Sequence, residues 1–504
     1  MKRGGSQLVE ADFDLAAPHA ASLVESLRAF GYELPTALAD LVDNSITACA
    51  KNVWVDFHWD GENSVIVVTD DGDGMSEEKL VAAMRLGSQN PLKAREPHDL
   101  GRFGLGLKTA SFSQCRRVTV RSVVRGREPA TRCWNLDHIA RVNDWQLLRS
   151  GDVSAEPHFR RLGELSKGTA VVWQNLDRLV RGTTTDNDAD EDAFLRRAEA
   201  CGEHFAAIFH RVMSGKSPVR FHLNNRAIVP WDPFMENETA TQALATERLL
   251  FLGHHILLKP FVLPHLSRLD AETHRRAAGI RGWNAHQGFY IYRNRRLLVP
   301  GDWLGIKGWR QEEHYKLARI RVDLPNALDN EWEIDVTKSR ARPPEKIRHE
   351  LTRIGEHTRS VAKRVYSHRG AKLIPAGGQE RVFLWEQTAK HNQVFYRVNR
   401  DHPLVKQVRA ACTDVPKFTA LLRLIEETIP VPLITITDRE KPDQTVSPFE
   451  ASEESEILEV MRQVFASLRA SGLSRKDALL RLAHFEPFPC FPELLQTIQE
   501  EDEK

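Results

Sequence analysis

Asp40, Asn44 and Thr47 stand at i, i+4 and i+7 in the stretch DLVDNSITA, residues 40–48, and Leu41, Val42 and Ile46 fill other positions of the same pattern. On a helix this spacing lines a carboxylate, an amide and a hydroxyl along one face. Such a row is either a solvated surface or a set of oxygens holding a metal and a water, and the stretch alone leaves both open. Three further motifs follow it in order. DDGDGM, residues 70–75, closes an apolar run; by itself it reads as a turn or as a ligand loop. GRFGLGLKTAS, residues 101–111, carries bare glycines at 101, 104 and 106, the kind of backbone that can cradle phosphates. KGTAVVW, residues 167–173, is a short strand pattern with Thr169 behind a glycine.

The order and spacing of these four motifs resemble the GHKL (Bergerat-fold) ATPase superfamily, which includes gyrase B subunits, MutL, heat-shock-ninety chaperones, histidine kinases and MORC proteins. ALADLVDNSITA and GRFGLGLKTAS look most like bacterial MORC-type ATPases, and the resemblance covers roughly residues 20–370. It implies ATP and Mg²⁺ as cofactors. Asp70 matches the aspartate that accepts from the adenine amine, a charge-assisted bond. Gly72 and Gly74 let backbone approach the ring, and Met75 can pack on it. Gly101, Gly104, Gly106 and Lys108 fall on the phosphate-binding lid, with the 86–100 stretch as its mobile part. Thr169 matches the threonine that braces the aspartate through water.

The resemblance also resolves the opening row. Asn44 matches the magnesium ligand, a hard oxygen donor. Asp40 sits where the pattern usually has glutamate, the general base that orients the attacking water. Aspartate is one methylene shorter, which withdraws the carboxylate by roughly 1.2–1.5 Å, and catalysis is sensitive to misplacement on that scale. Slow turnover is therefore expected, with Asp43 as an alternative water holder. In EWEIDVTKSRARPP, residues 331–344, Lys338 matches the sensor lysine that reaches the γ-phosphate from a transducer domain. GFYIYRNRRLL, residues 288–298, resembles the central transducer strand and its turn, and Tyr290 and Tyr292 are expected in its core.

The elements that must position these residues are legible in outline. A helix starts near Pro35, and alternating runs at 53–59 and 64–69 around DGEN make a hairpin. RRVTVRSVVR and GTAVVWQNL read as strands, and an acidic loop leads into a helix through FLRRAEACGEHFAAIFHRVM. More strands follow from about 215, then a helix over 344–366 and a mostly helical region beyond 380. The fold class expected is α+β: a Bergerat α/β sandwich with helices on one sheet face, an α/β transducer domain and a mixed, mostly helical C-terminal region. The boundaries expected are 1–35 for an N-terminal strap, 36–210 for the ATP-binding domain, 211–372 for the transducer and 373–504 for a region of unknown role.

The 504 residues exceed one core, and 41% hydrophobic with 28% charged residues is an ordinary globular composition. A formal net charge of +1 gives no global signature of nucleic acid, so such a surface must be local. Cysteines 49, 115, 133, 201, 412 and 490 make no C-x-x-C pair, which fits a reduced, cytoplasmic protein. Residues 346–372 carry eight Lys or Arg against two Glu, and RRVTVRSVVRGREPATR at 116–132 is Arg-rich. Both are candidate phosphate-binding patches. The resemblance implies an ATP-gated homodimeric clamp, on DNA, with partner proteins from restriction-modification or antiphage defence. The competing expectation is an ATP-dependent protein-remodelling or scaffold subunit that touches no nucleic acid.

Overall fold

The structure is a computed structural model and describes residues 18–29, 31–87, 106–215, 217–265, 268–329, 331–334, 341–366, 384–390, 393–430, 449, 452–485, 487–488 and 491–501. It divides into two compact units. Met1–Trp231, Arg293–Leu298 and Ile334–Arg340 form the first, and Asp232–Tyr292, Val299–Glu333 and Ala341–Lys504 the second. Both combine helices with sheet, the α+β class expected. Among the described residues no helix is long and apolar enough to cross a membrane.

The first unit is built on a seven-stranded sheet. In chain order its strands are β1 (Asn52–His58), β2 (Val65–Asp70), β3 (Arg117–Val123), β4 (Ala130–Asn135), β5 (Gly168–Gln174), β6 (Arg220–Leu223) and β7 (Arg226–Ala227). Their order across the sheet is β4-β3-β5-β2-β1-β6-β7. β1 and β2 form the expected antiparallel hairpin, Val53 opposite Asp70. β2 is the sheet's middle strand and every one of its residues is buried. Its side chains alternate between faces, so both faces need cover. Val65 and Val67, with Ala170 and Val172 of β5, pack under Ala155, Phe159 and Leu162. That cover corrects the expectation of helices on one face only. The segment 153–163 carries Pro157 and no helical period, so the sequence concealed it.

The helices of the unit include α1 (Ala20–Arg28), α2 (Leu34–Thr47), α3 (Glu77–Met84), α4 (Gly106–Gln114), α5 (Leu136–Val142) and α6 (Asp188–Ile208). α2 carries Pro35 in its first turn, where the missing N–H costs nothing. It packs on α4, α6 and β2. Asn187 caps α6, and Asp188, Asp190 and Glu191 complement its N-terminal dipole. α1 lies on α4 and α5 of its own unit, where Arg28 makes a two-pronged contact with Asp177. The strap expected over 1–35 thus has its described part docked here, and residues 1–17 lie outside the described residues.

The second unit holds a six-stranded sheet of β8 (Gln242–Ala243), β9 (Glu247–Phe251), β10 (His254–Val262), β11 (Gly288–Arg293), β12 (Arg296–Asp302) and β13 (Ala318–Leu324). The order is β12-β11-β13-β10-β8, with β9 against β10. Tyr290 and Tyr292 are fully buried in it, as expected. α7 (Glu345–Tyr366) packs on β10 and β13 through Ile347, Leu351, Ile354 and Ala362. Further on, a hairpin over Trp385–Lys390 and Gln393–Val398 precedes helices. Three of these helices, Glu454–Ala470, Arg475–Leu482 and Pro492–Glu501, close on a core of Met461, Val464, Leu468, Leu482 and Phe485.

Both proposed basic patches are altered by the fold. Arg359 is buried, its guanidinium carbon 3.8 Å from the Tyr315 ring centre, 4.3 Å from that of Trp309 and 5.1 Å from that of Trp303. It is a core cation in an aromatic box and is not a phosphate ligand. Residues 116–132 form the β3–β4 hairpin, β4 being a strand the sequence did not suggest. Four of its six arginines are matched by carboxylates: Arg116 with Asp137, Arg117 with Asp152, Arg121 with Glu156 and Arg132 with Glu77, while Arg125 and Arg127 are exposed.

Candidate functional site

The site is built where β2 ends against α2. Asp70, the last residue of β2, is buried. Its Oδ1 accepts from the Gly72 amide at 2.9 Å and its Oδ2 from the Ser45 hydroxyl at 2.9 Å. Burial pushes this carboxyl up from 3.8 to about 6, and the bonds from Gly72 and Ser45 act in the opposite direction. Ser45, a residue of α2, was not foreseen as part of the site.

The backbone after Asp70 is held at close quarters. Gly74 sits at φ +70°, and a Cβ there would lie 2.0 Å from the Val123 carbonyl oxygen. Gly72 is also tight, since a Cβ would meet the Ala48 carbonyl at 2.8 Å. The Met75 amide donates to Ser122 Oγ at 2.8 Å, and that hydroxyl lies 2.8 Å from Thr169 Oγ1. Thr169 pairs with Asp70 across β5 and β2. The structure thus brings Asp70, Gly72, Gly74, Met75 and Thr169 together, with Ser122 as a second hydroxyl that sequence reasoning missed.

Toward the start of α2 from Ser45 the side chains diverge. Asn44 is exposed, and among the described residues none hydrogen-bonds its side-chain amide. No described group of three or more His, Cys, Asp or Glu converges as a metal cage. An ion here would therefore rely on the Asn44 oxygen, phosphate and water, which is the coordination habit of Mg²⁺. Asp40 and Asp43 are buried instead. Asp40 Oδ2 accepts from the Tyr32 hydroxyl at 3.1 Å, and Oδ1 lies 4.0 Å from Arg296. Arg296 Nε is 2.8 Å from Asp43 Oδ1, an ion pair whose N–H is not aligned along the contact.

Gly106 opens α4 beside this end, where a Cβ would stand 3.6 Å from Asp40 Oδ2. Lys108 is buried, and its Nζ donates to the Ala83 carbonyl at 2.9 Å near the end of α3. Burial brings its ammonium down from 10.5 to about 8. Gly101, Gly104 and Lys338 lie outside the described residues, as does most of the 86–100 stretch.

The shifted Asp70 carboxyl carries a pH prediction. It takes up a proton in the folded chain as pH falls through about 6, whereas it titrates near 3.8 when unfolded. A ligand that needs the ionised acceptor should bind about tenfold more weakly at about pH 5 than at about pH 8. The ligand-free fold should respond in the reverse sense. Asp70 contributes stability below 3.8 that is lost as pH rises through about 6. Titrating a fluorescent adenine nucleotide and recording thermal melts over this range checks both, and Asp70→Asn should flatten both.

Residues 32–169 match the family described as histidine kinase-, DNA gyrase B- and HSP90-like ATPase. The ATPase morc-1 of Caenorhabditis elegans is 34% identical over 83 residues, covering 16% of this chain and 9% of that protein. The DNA mismatch repair protein MutL of Dictyoglomus turgidum is 35% identical over 89 residues, 17% of this chain and 15% of that one. The matched stretches thus span no more than 15% of either curated relative. A crystal structure of the ATPase and transducer domains of DNA topoisomerase II from Balamuthia mandrillaris aligns over 66% of this chain and 85% of that chain, with a TM-score of 0.36 and 13% identity. Residues 32–169 thus match a GHKL-type ATPase domain, and the chain has distant similarity to MORC and MutL proteins.

Proposed function

We propose that the chain binds Mg-ATP in its first unit and hydrolyses it, and that the nucleotide gates a homodimeric clamp on DNA. The observation that carries the nucleotide reading is Asp70, a buried carboxylate fixed by Ser45 and Gly72 at a strand end. It offers an acceptor to the adenine amine, while Gly72 and Gly74, which have no room for a side chain, let the backbone approach the ring. Asn44 would hold Mg²⁺, which supplies charge neutralisation for the phosphates. Asp40 orients the attacking water and takes its proton, and Gly106 presents the amino end of α4 to the phosphates. In this reading Lys338 is the sensor that a transducer domain brings to the γ-phosphate. The boundaries at 35, 210 and 372 belong to the same proposal.

The DNA part draws on α7, where Lys363 and Arg364 are exposed while Arg359 is not. The carboxylate-matched arginines of β3 and β4 instead favour the second reading, an ATP-dependent scaffold or remodelling subunit free of nucleic acid. One experiment separates them. Turnover of Mg-ATP is expected to stop with a chelator and to change on adding DNA but not RNA or denatured protein. Charge reversal at Lys363 and Arg364 should weaken DNA binding and lower its salt slope by about two, one for each phosphate no longer neutralised. Parental affinity and slope would favour the scaffold.

A further inference from the structure

We infer that Arg296 is a positioning residue for hydrolysis, holding Asp40 in the orientation in which it presents its carboxylate to water; this rests on the reading of Asp40 given above. The turn Arg293–Leu298 groups with the first unit, and its Asn294 and Arg295 adopt φ values of +47° and +69°. That tight turn sends Arg296 into a buried socket, where 2% of the residue is exposed. One wall is α2. Asp40 and Asp43, i and i+3, would repel each other there, and the Arg296 guanidinium lies 2.8 Å from Asp43 and 4.0 Å from Asp40. The other wall is α6 and the residue after it. The Phe209 ring centre is 5.7 Å from the guanidinium carbon, and the nearby charge, added to burial, helps hold His204 down at about 4.

Asp40 is therefore restrained at both oxygens, by the Tyr32 hydroxyl at Oδ2 and by the Arg296 charge at Oδ1. A plain structural ion pair would need one carboxylate, and a buried pair adds little net stability. Here the planar fork serves two carboxylates on the helix that bears Asn44, a task a lysine point charge cannot duplicate. A carboxylate shortened by a methylene has the more need of a fixed direction.

The test uses the full chain, Arg296→Lys, and Arg296→Met combined with Asp43→Asn. The combination removes one positive and one negative charge and so leaves the net charge of the socket unchanged. Steady-state turnover and the affinity for a fluorescent non-hydrolysable ATP analogue are measured side by side. The expected result is kcat lowered at least about tenfold in the double variant, with analogue affinity within about threefold and Arg296→Lys intermediate. Parental kcat in the folded double variant overturns the inference, as does loss of kcat together with analogue binding. Should the double variant not fold, Arg296→Lys decides: lowered kcat with intact binding supports the inference, and parental kcat overturns it. A parental chain without turnover is a separate result, in which the hydrolysis reading itself fails and takes this one with it.

Discussion

Asp40→Ala is expected to bind Mg-ATP at close to the parental affinity and to turn it over about 10²- to 10⁴-fold more slowly, the usual effect of losing a general base. The separation of binding from turnover follows from where the side chains point. Asp40 is buried between Tyr32 and Arg296, while Asp70 and Asn44 occupy other positions along the site. Removing a carboxylate next to a buried guanidinium shifts charge balance, so thermal melts should accompany the kinetics. Asp40→Asn keeps the shape and a hydrogen-bond acceptor for Tyr32, and is expected to show the same loss of turnover with smaller structural disturbance. Single-turnover measurements with saturating enzyme report the chemical step directly. Parental rates in both variants would transfer the role to Asp43.

Asn44→Ala is expected to remove the metal-dependent part of nucleotide affinity, at least about 100-fold, because the site offers no replacement ligand. The described residues around it form no carboxylate or histidine cage. Its side chain has no described hydrogen-bond partner to lose, so the fold should be almost undisturbed. Calorimetric titration with ATP, once with Mg²⁺ and once with a chelator, measures the difference between the two affinities. The parental chain should show a large difference and the variant almost none. A variant with full Mg²⁺ dependence would exclude Asn44 as the metal ligand.

The legible parts of this protein were those whose chemistry lies in one short stretch. DDGDGM announced the end of β2 because an apolar run, a carboxylate and paired glycines sit in consecutive positions. Asn294-Arg295, in GFYIYRNRRLL, announced a tight turn, and both residues have positive φ. Ser45 and Ser122 were missed because a serine is common on any helix or strand. Only the tertiary fold shows one against Asp70 and the other against Thr169. β4 was missed because ATRCWN has no clean alternation and is stabilised by pairing with β3. Arg359 was misread for a related reason. It shares the inward face of α7 with Leu351, Ile354 and Ala362, and its partners Trp303, Trp309 and Tyr315 lie more than forty residues upstream. A charge count along the chain sees the cation and not the box.

One helix, α2, bears on both ends of the site. Ser45 anchors the Asp70 carboxylate, and Asp40 sits five residues earlier on the same rod. At about 1.5 Å of rise per residue those two positions are about 7.5 Å apart along the axis. The helix therefore works as a calliper: it sets the span between the anchored carboxylate and the buried one by geometry that no side-chain rotation can alter. Single substitutions can retune either jaw, but inserting one residue between them would turn the far jaw by about 100° and close the gauge on the wrong face. On the reading proposed above, a nucleotide would be measured by its length as well as by its base.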